Sequence, residues 1–189
     1  MPNLYIISGC NGAGKTTASY AMFPKMLDCK EFINADEIAK GLSPFQPETV
    51  AIEAGRLMLM RMNEMLRMQE DFAIETTLAT KSYANFIRRA QNEGYFVTLI
   101  YFWLESPELA IRRVEQRVRF GGHNVPEDVI RRRYFAGIRN LFSMFIPISD
   151  YWILVDNSTD PFRVVAEGNK TKIQDIQDED VFYYLKNHN

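Results

Sequence analysis

An α/β fold, a five-stranded parallel sheet with helices on both faces, is what this sequence predicts, on three observations. Apolar runs of strand length recur along the chain, stretches with helical spacing of apolar residues separate them, and the first run leads straight into a glycine-rich turn. Alternation of this kind implies a parallel sheet, because a parallel neighbour is reached only by a crossover long enough to hold a helix.

The strand runs are residues 4–7, 31–34, 72–75, 95–103 and 151–156. The first helix is predicted over residues 15–26 and the second over 47–68, where Met58, Met60, Met62, Met65 and Met68 read as adaptable core filling or the lining of a pliable cleft. Helices over 81–92 and 107–118 follow, then a break at Gly121-Gly122 and a long helix over 126–145 that Pro147 closes. After Asp160-Pro161 the pattern changes to strand runs at 162–167 and 171–176 around Gly168-Asn169, a C-terminal hairpin, before a short helix at 179–186. No linker or repeat interrupts the chain, so 1–189 reads as a single domain with a core over about 3–158 and an appendage over about 159–189.

At 189 residues, 47% apolar and net charge −2, the chain can bury a real core and is not compositionally disordered. Its charge gives no electrostatic reason to expect a nucleic-acid partner, although arginines concentrate between positions 112 and 139. The longest apolar run, near residues 96–104, is too short to cross a bilayer, and no basic leader with an apolar core follows Met1. A cytoplasmic, soluble protein without a membrane partner is expected. Cys10 and Cys29 are too few for a metal cage or a disulfide framework. Oxidation of Cys10 could block the adjoining turn; the alternative is a passive small residue.

That turn carries the chemistry. Gly9-Cys10-Asn11-Gly12-Ala13-Gly14-Lys15-Thr16 is a complete G-x-x-x-x-G-K-T phosphate-binding loop, or Walker A motif, at the end of an apolar strand. The glycines let backbone N–H groups turn inward around a triphosphate, Lys15 reaches the β and γ phosphates, and the Thr16 hydroxyl can ligate Mg²⁺. Gly9, Asn11, Gly12, Ala13, Gly14, Lys15, Thr16 and Thr17 are thus the candidate ATP-binding set, within a P-loop NTPase or kinase fold.

Residues just after each parallel strand share the ligand-binding edge of the sheet. Glu75 ends the third strand, where phosphate-loop enzymes carry an acid that holds Mg²⁺ directly or through water; a surface carboxylate is the bland alternative. Asp36 follows the second strand and is the candidate catalytic base for an acceptor hydroxyl, unless it merely caps the next helix. Among the arginines, Arg117 and Arg119 lie nearest the glycine pair and are the candidates for an Arg-rich lid that closes over transferring phosphate; Arg133 is the best candidate after the break. His123, in the same loop, can serve phosphate or acceptor or stand exposed. Asp36, Glu75, Thr76, His123 and Arg133 form the candidate acceptor set. Asp156, Asn157 and Ser158, after the last strand, could border the adenine ring or simply build a turn.

Four segments together, residues 9–17, Phe32-Ile33-Asn34-Ala35-Asp36, Ile74-Glu75-Thr76-Thr77-Leu78 and Arg119-Phe120-Gly121-Gly122-His123-Asn124-Val125-Pro126, resemble the zeta-toxin family of phosphate-loop kinases. The likeness spans roughly residues 3–158. It implies an ATP-dependent phosphotransferase acting on an alcohol group of a small molecule, in the best-known members the sugar of UDP-N-acetylglucosamine, with an antitoxin protein as partner. It implies Asp36 as base, Lys15 and Thr16 as phosphate and metal ligands, Glu75 near substrate or Mg²⁺, and lid arginines as charge stabilisers. The chain lacks the long insertion that larger members carry around the acceptor pocket, so another metabolite is equally compatible with the resemblance. The competing reading is a nucleotide-dependent ATPase switch in which the Arg-rich lid and the methionine-rich helix face a protein partner. A nucleic-acid end kinase would need a basic, aromatic groove that the sequence does not show.

Overall fold

The computed structural model describes residues 1–22, 29–170 and 172–187. Among these residues seven strands form one sheet: β1 (Asn3–Ser8), β2 (Glu31–Ile33), β3 (Phe72–Thr76), β4 (Phe96–Trp103), β5 (Tyr151–Asp156), β6 (Arg163–Asn169) and β7 (Ile173–Ile176), in the order β2-β3-β1-β4-β5-β6-β7. The first five are parallel, as the alternating pattern predicts. The expected count of five is corrected to seven, because the C-terminal hairpin does not stand apart: β6 pairs antiparallel with β5 and β7 with β6. The hairpin thereby covers the row of backbone groups that β5 would otherwise leave open at the sheet edge. Thr171, assigned to the hairpin from sequence, lies outside the described residues.

The helices are α1 (Lys15–Met22), α2 (Ala35–Leu42), α3 (Ala51–Met68), α4 (Tyr83–Asn92), α5 (Pro107–Arg119), α6 (Glu127–Asn140), α7 (Ile146–Ile148) and α8 (Glu179–Asn187). The predicted extension of α1 over residues 23–26 lies outside the described residues. A 3₁₀ turn, Pro47–Val50, leads into α3. The single helix expected over 126–145 is instead α6, a π-helical turn at Leu141–Phe145, and α7. Pro147 sits inside α7 rather than after the helix. In a regular helix its ring would meet the carbonyl of Ser143, and a wider turn just ahead relieves that clash.

Strands β1, β3 and β4 are buried on both faces: Leu4, Ile6, Phe72, Ala73, Ile74, Val97 and Leu99 have no exposed surface. That is the continuous apolar reading expected of a parallel sheet covered by helices. The methionines of α3 divide by helical period. Met58, Met62 and Met65 are buried in the core, whereas Met60 and Met68 face outward. The crossover after β1 runs to β2 on one side of it and the crossover after β3 runs to β4 on the other, and this reversal opens a crevice at the carboxyl end of β1. No helix among the described residues is long and apolar enough to cross a membrane.

Candidate active site

The phosphate loop fills that crevice. Gly9, Gly12 and Gly14 all hold positive φ. At Gly9 a Cβ would stand 2.2 Å from the Phe102 carbonyl oxygen, so close backbone packing as well as φ requires glycine. Asn157, at the end of β5, donates its side-chain amide to the Ala13 carbonyl (2.8 Å) and pins the loop from the neighbouring strand. Helix α1 begins at Lys15, so its N-terminal dipole and free N–H groups point at the loop.

One carboxylate organises what lies under the loop. Glu75 Oε2 accepts hydrogen bonds from Thr16 Oγ1 (2.7 Å) and Asn34 Nδ2 (2.9 Å), while Lys15 Nζ lies 3.5 Å from Oε1 and donates to the Cys10 carbonyl (2.9 Å). A nearly buried carboxylate at this position is stable because it has these donors. The bland alternative for Glu75, a solvated strand end, is not what the structure contains. Asn34 serves twice, since its Oδ1 also accepts the Asp36 N–H (2.8 Å) and caps α2.

Capping by Asn34 frees Asp36 from that duty. Asp36 stands inside the first turn of α2, exposed, and among the described residues its carboxylate makes no hydrogen bond or ion pair. It borders two cavities. One, of about 530 Å³, also touches Gly12, Gly14, Lys15, Thr16, Thr17 and Glu75 on the phosphate-loop side. The other, of about 240 Å³, is lined by Asn34, Glu75, Thr76, Thr77, Thr80, Tyr83 and Arg133.

Arg133 reaches into the smaller cavity from α6 and donates to Asn11 Oδ1 (3.0 Å), linking the lid side to the phosphate loop. Burial pushes its guanidinium below its ordinary value, and the nearby Asp36 carboxylate opposes that shift. The lid arginines separate. Arg117 borders the larger cavity and donates to the His123 carbonyl (2.6 Å), and His123 borders the same cavity. Arg119 is exposed at the end of α5 and lines neither cavity. Arg113, not singled out in the sequence, lines the larger cavity beside Arg117 and donates to the Ser158 carbonyl (3.1 Å). The available signal was spacing, since residues 113 and 117 lie one turn apart on one face while 119 points elsewhere.

The segment after β5 is occupied by its own contacts. Buried Asp156 accepts from the Ser158 N–H (2.9 Å) and from Arg163 Nη2 (2.9 Å), and the Ser158 hydroxyl accepts the Glu105 N–H (2.8 Å). Asp156, Asn157 and Ser158 thus build the turn that carries Asn157 to the loop, and none of them lines the larger cavity. Cys10 is buried, and burial pushes its thiol up to about 11, which removes the thiolate on which oxidation depends.

The turn that follows Glu75, next to Thr76 and Thr77 of the smaller cavity, contains a feature without a sequence signal. Leu78 adopts φ +53 although it is not glycine, and it is completely buried. Thr76 Oγ1 accepts its N–H (3.2 Å) and Asn140 Nδ2 donates to its carbonyl (2.7 Å), so the turn after Glu75 is held from both ends.

No group of three or more His, Cys, Asp or Glu among the described residues could enclose a metal by itself. Thr16 and Glu75, in contact at the start of α1, fit the requirement of Mg²⁺ for one or two protein oxygens with the rest of its shell supplied by phosphate and water.

The comparisons with known proteins agree with this geometry. The family model described as zeta toxin matches residues 1–144. An uncharacterized protein of Haemophilus influenzae is 30% identical over 127 residues, which are 67% of this chain and 88% of that protein. Among solved structures, the AvrRxo1-ORF1:AvrRxo1-ORF2 complex with sulphate ions aligns over 98% of this chain with TM-score 0.79 and 18% identity, this chain spanning 64% of that one's length. The PezAT toxin-antitoxin system of Streptococcus pneumoniae aligns over 98% of this chain and 78% of its own with TM-score 0.69 and 19% identity.

Proposed function

Because the chain belongs to the zeta-toxin family, we propose that it is an ATP-dependent kinase that transfers the γ-phosphoryl group to a hydroxyl of a small-molecule acceptor. The observation that carries the reading is Asp36, an uncommitted carboxylate bordering both the cavity beside the phosphate loop and a second one lined with hydroxyls. ATP in the larger cavity would lay its phosphates along the loop, with Lys15 turning from Cys10 and Glu75 to the β and γ oxygens. Thr16 and Glu75 would hold Mg²⁺, which supplies charge neutralisation between the β and γ phosphates when bound.

An acceptor in the smaller cavity would place its hydroxyl against Asp36. The hydroxyl oxygen forms the new bond to the γ phosphorus, its proton passes to the Asp36 carboxylate, and the bond to the ADP oxygen breaks. Arg133, Arg113 and Arg117 neutralise the charge spread over the transferring group, an effect of about 10³–10⁵ in rate where such arginines act. The walls of the acceptor cavity, Thr76, Thr77, Thr80, Tyr83 and Asn34, favour a polar, polyhydroxylated molecule. UDP-N-acetylglucosamine is the first candidate within that class, and a cytoplasmic enzyme with an antitoxin-like protein partner is the setting that the family suggests.

The test is mass spectrometry of a metabolite pool including UDP-N-acetylglucosamine with ATP and Mg²⁺, comparing wild type with Asp36→Asn. A phosphorylated product is expected from wild type alone, with ATP binding retained by the variant. Undiminished transfer by Asp36→Asn would remove Asp36 from its role, and ATP consumption without any phosphorylated acceptor would overturn the kinase reading.

A further inference from the structure

A third cavity, of about 460 Å³, lies at the opposite edge of the sheet from the phosphate loop, bordered by Trp152 at the start of β5, Asn169 at the end of β6 and Phe182 and Lys186 on α8. Most of its lining lies beyond residue 144, where the family match ends, and none of it borders the larger active-site cavity or the smaller one. Its floor is apolar. Phe182 stacks on Trp152 with ring planes 11° apart, Phe142 meets Phe182 edge-on, and Ile146 and Ile173 complete the surface. Trp152 is fixed in place by donating its indole N–H to the Asn169 carbonyl (3.1 Å).

The rim is cationic. Arg139, Lys170, Lys172 and Lys186 all line the cavity and, among the described residues, no Asp or Glu does, in a chain whose net charge is −2. Lys170 is paired with Asp150, but Arg139, Lys172 and Lys186 make no ion pair among the described residues. Ordinary surfaces intersperse the two signs, so unpaired cations around an apolar basin form an electrostatic site for an anion. Phe142, Ser143 and the adjoining Ile146 reach the cavity from the π-helical turn ahead of Pro147. The volume falls in the range of about 300–1,000 Å³ that small-ligand sites occupy.

We propose that this cavity is a second ligand site, which takes an amphiphilic anion: an apolar body over Phe142, Ile146 and Ile173, and a carboxylate or phosphate head among Arg139, Lys172 and Lys186. The site is independent of the catalytic reading.

The test uses anilinonaphthalene sulfonate, an apolar anion, in a fluorescence titration of the full chain at low salt, with its neutral relative phenylnaphthylamine as control. Saturable binding of the anion is expected, with energy transfer dominated by Trp152, so that Trp152→Phe, which leaves only Trp103 as donor, reduces it strongly. Lys172→Glu/Lys186→Glu changes only exposed side chains, and circular dichroism and Tm verify its fold. It should weaken the anion about tenfold while leaving the neutral probe unchanged. Decanoate and decyl phosphate should displace the probe, and the more effective of the two identifies the preferred head group. Equal binding of the anion by wild type and the charge-reversed variant would overturn the proposal. So would equal displacement by inorganic phosphate alone, or energy transfer that persists undiminished in Trp152→Phe.

Discussion

Asn34 offers the sharpest test of how the site is assembled, because one buried side chain joins the start of α2 to the carboxylate beneath the phosphate loop. Asn34→Ala removes the cap of α2 and one of the hydrogen bonds to Glu75 Oε2. A lost cap costs about 0.5–2 kcal/mol and a hydrogen bond to a charged acceptor about 1.5–3 kcal/mol. The expected loss is therefore about 3 kcal/mol, or roughly 6–12 °C in Tm for a chain of this size. Asn34→Ser separates the two terms. Its hydroxyl can still cap the Asp36 N–H but is too short to reach Glu75, so it should recover about 1 kcal/mol relative to the alanine variant. Urea unfolding of the three proteins measures both differences. Stability of Asn34→Ala within about 0.5 kcal/mol of wild type would refute the linkage, since surface substitutions away from special contacts fall in that range. Asn34→Ser no more stable than Asn34→Ala would refute the capping half.

Three further outcomes follow from the geometry. Arg113→Ala should lower kcat/KM for ATP-dependent transfer by about 10² or more, whereas Arg119→Ala should remain within about twofold, because only Arg113 lines the larger cavity; steady-state kinetics decide, and equal losses would return Arg119 to the site. At Asp150 burial favours the neutral acid, but Lys170, Gln91 and the Val97 N–H outweigh it and hold the carboxyl below its ordinary 3.8. A depressed folded value contributes stability above the unfolded pKa that is lost as pH falls through the folded one, so wild-type stability should drop more steeply than that of Asp150→Asn below about pH 4; parallel stability curves in acid would contradict this. Cys10, with its thiol near 11, should resist iodoacetamide at pH 7.5 in the native protein; rapid labelling that blocks ATP binding would revive a redox role.

The edge of the sheet that holds the candidate site was legible in the sequence where the pattern is local. The phosphate loop announces itself by glycine, lysine and threonine spacing, and strands of a parallel sheet bring their carboxyl ends to one edge, so Glu75 and Asp36 could be assigned to one neighbourhood without coordinates. What the sequence could not resolve was competition between two uses of one side chain. Asn34 and Asp36 are both good caps, and only the hydrogen bond from the Asp36 N–H to Asn34 Oδ1 shows which of them caps. The same holds for Asp156, whose pairing with Arg163 depends on a hairpin that folds back onto β5. The two lid candidates were inseparable for a different reason: both lie near Gly121-Gly122, but a helix rotates about 100° per residue, so Arg117 borders the larger cavity while Arg119 does not.

Helix α6 shows why the remaining part of the site had no signature. Arg133 reaches from it to Asn11 of the phosphate loop. One turn later Gly137 passes so close to the wall of the smaller cavity that a Cβ would stand 2.8 Å from the Thr77 carbonyl oxygen. Asn140, buried, then secures the carbonyl of Leu78 in its positive-φ turn. These three residues touch segments more than 50 positions away, so no local pattern could link them. Together they make α6 the brace that sets the distance between the phosphate loop and the strand end carrying Glu75. The π-helical turn begins immediately after Asn140, which confines the irregular geometry required by Pro147 to the far side of that brace. A regular helix carried through to Pro147 would have to bend at Ser143 instead, and the bend would be felt first at Asn140 and the Leu78 turn it holds.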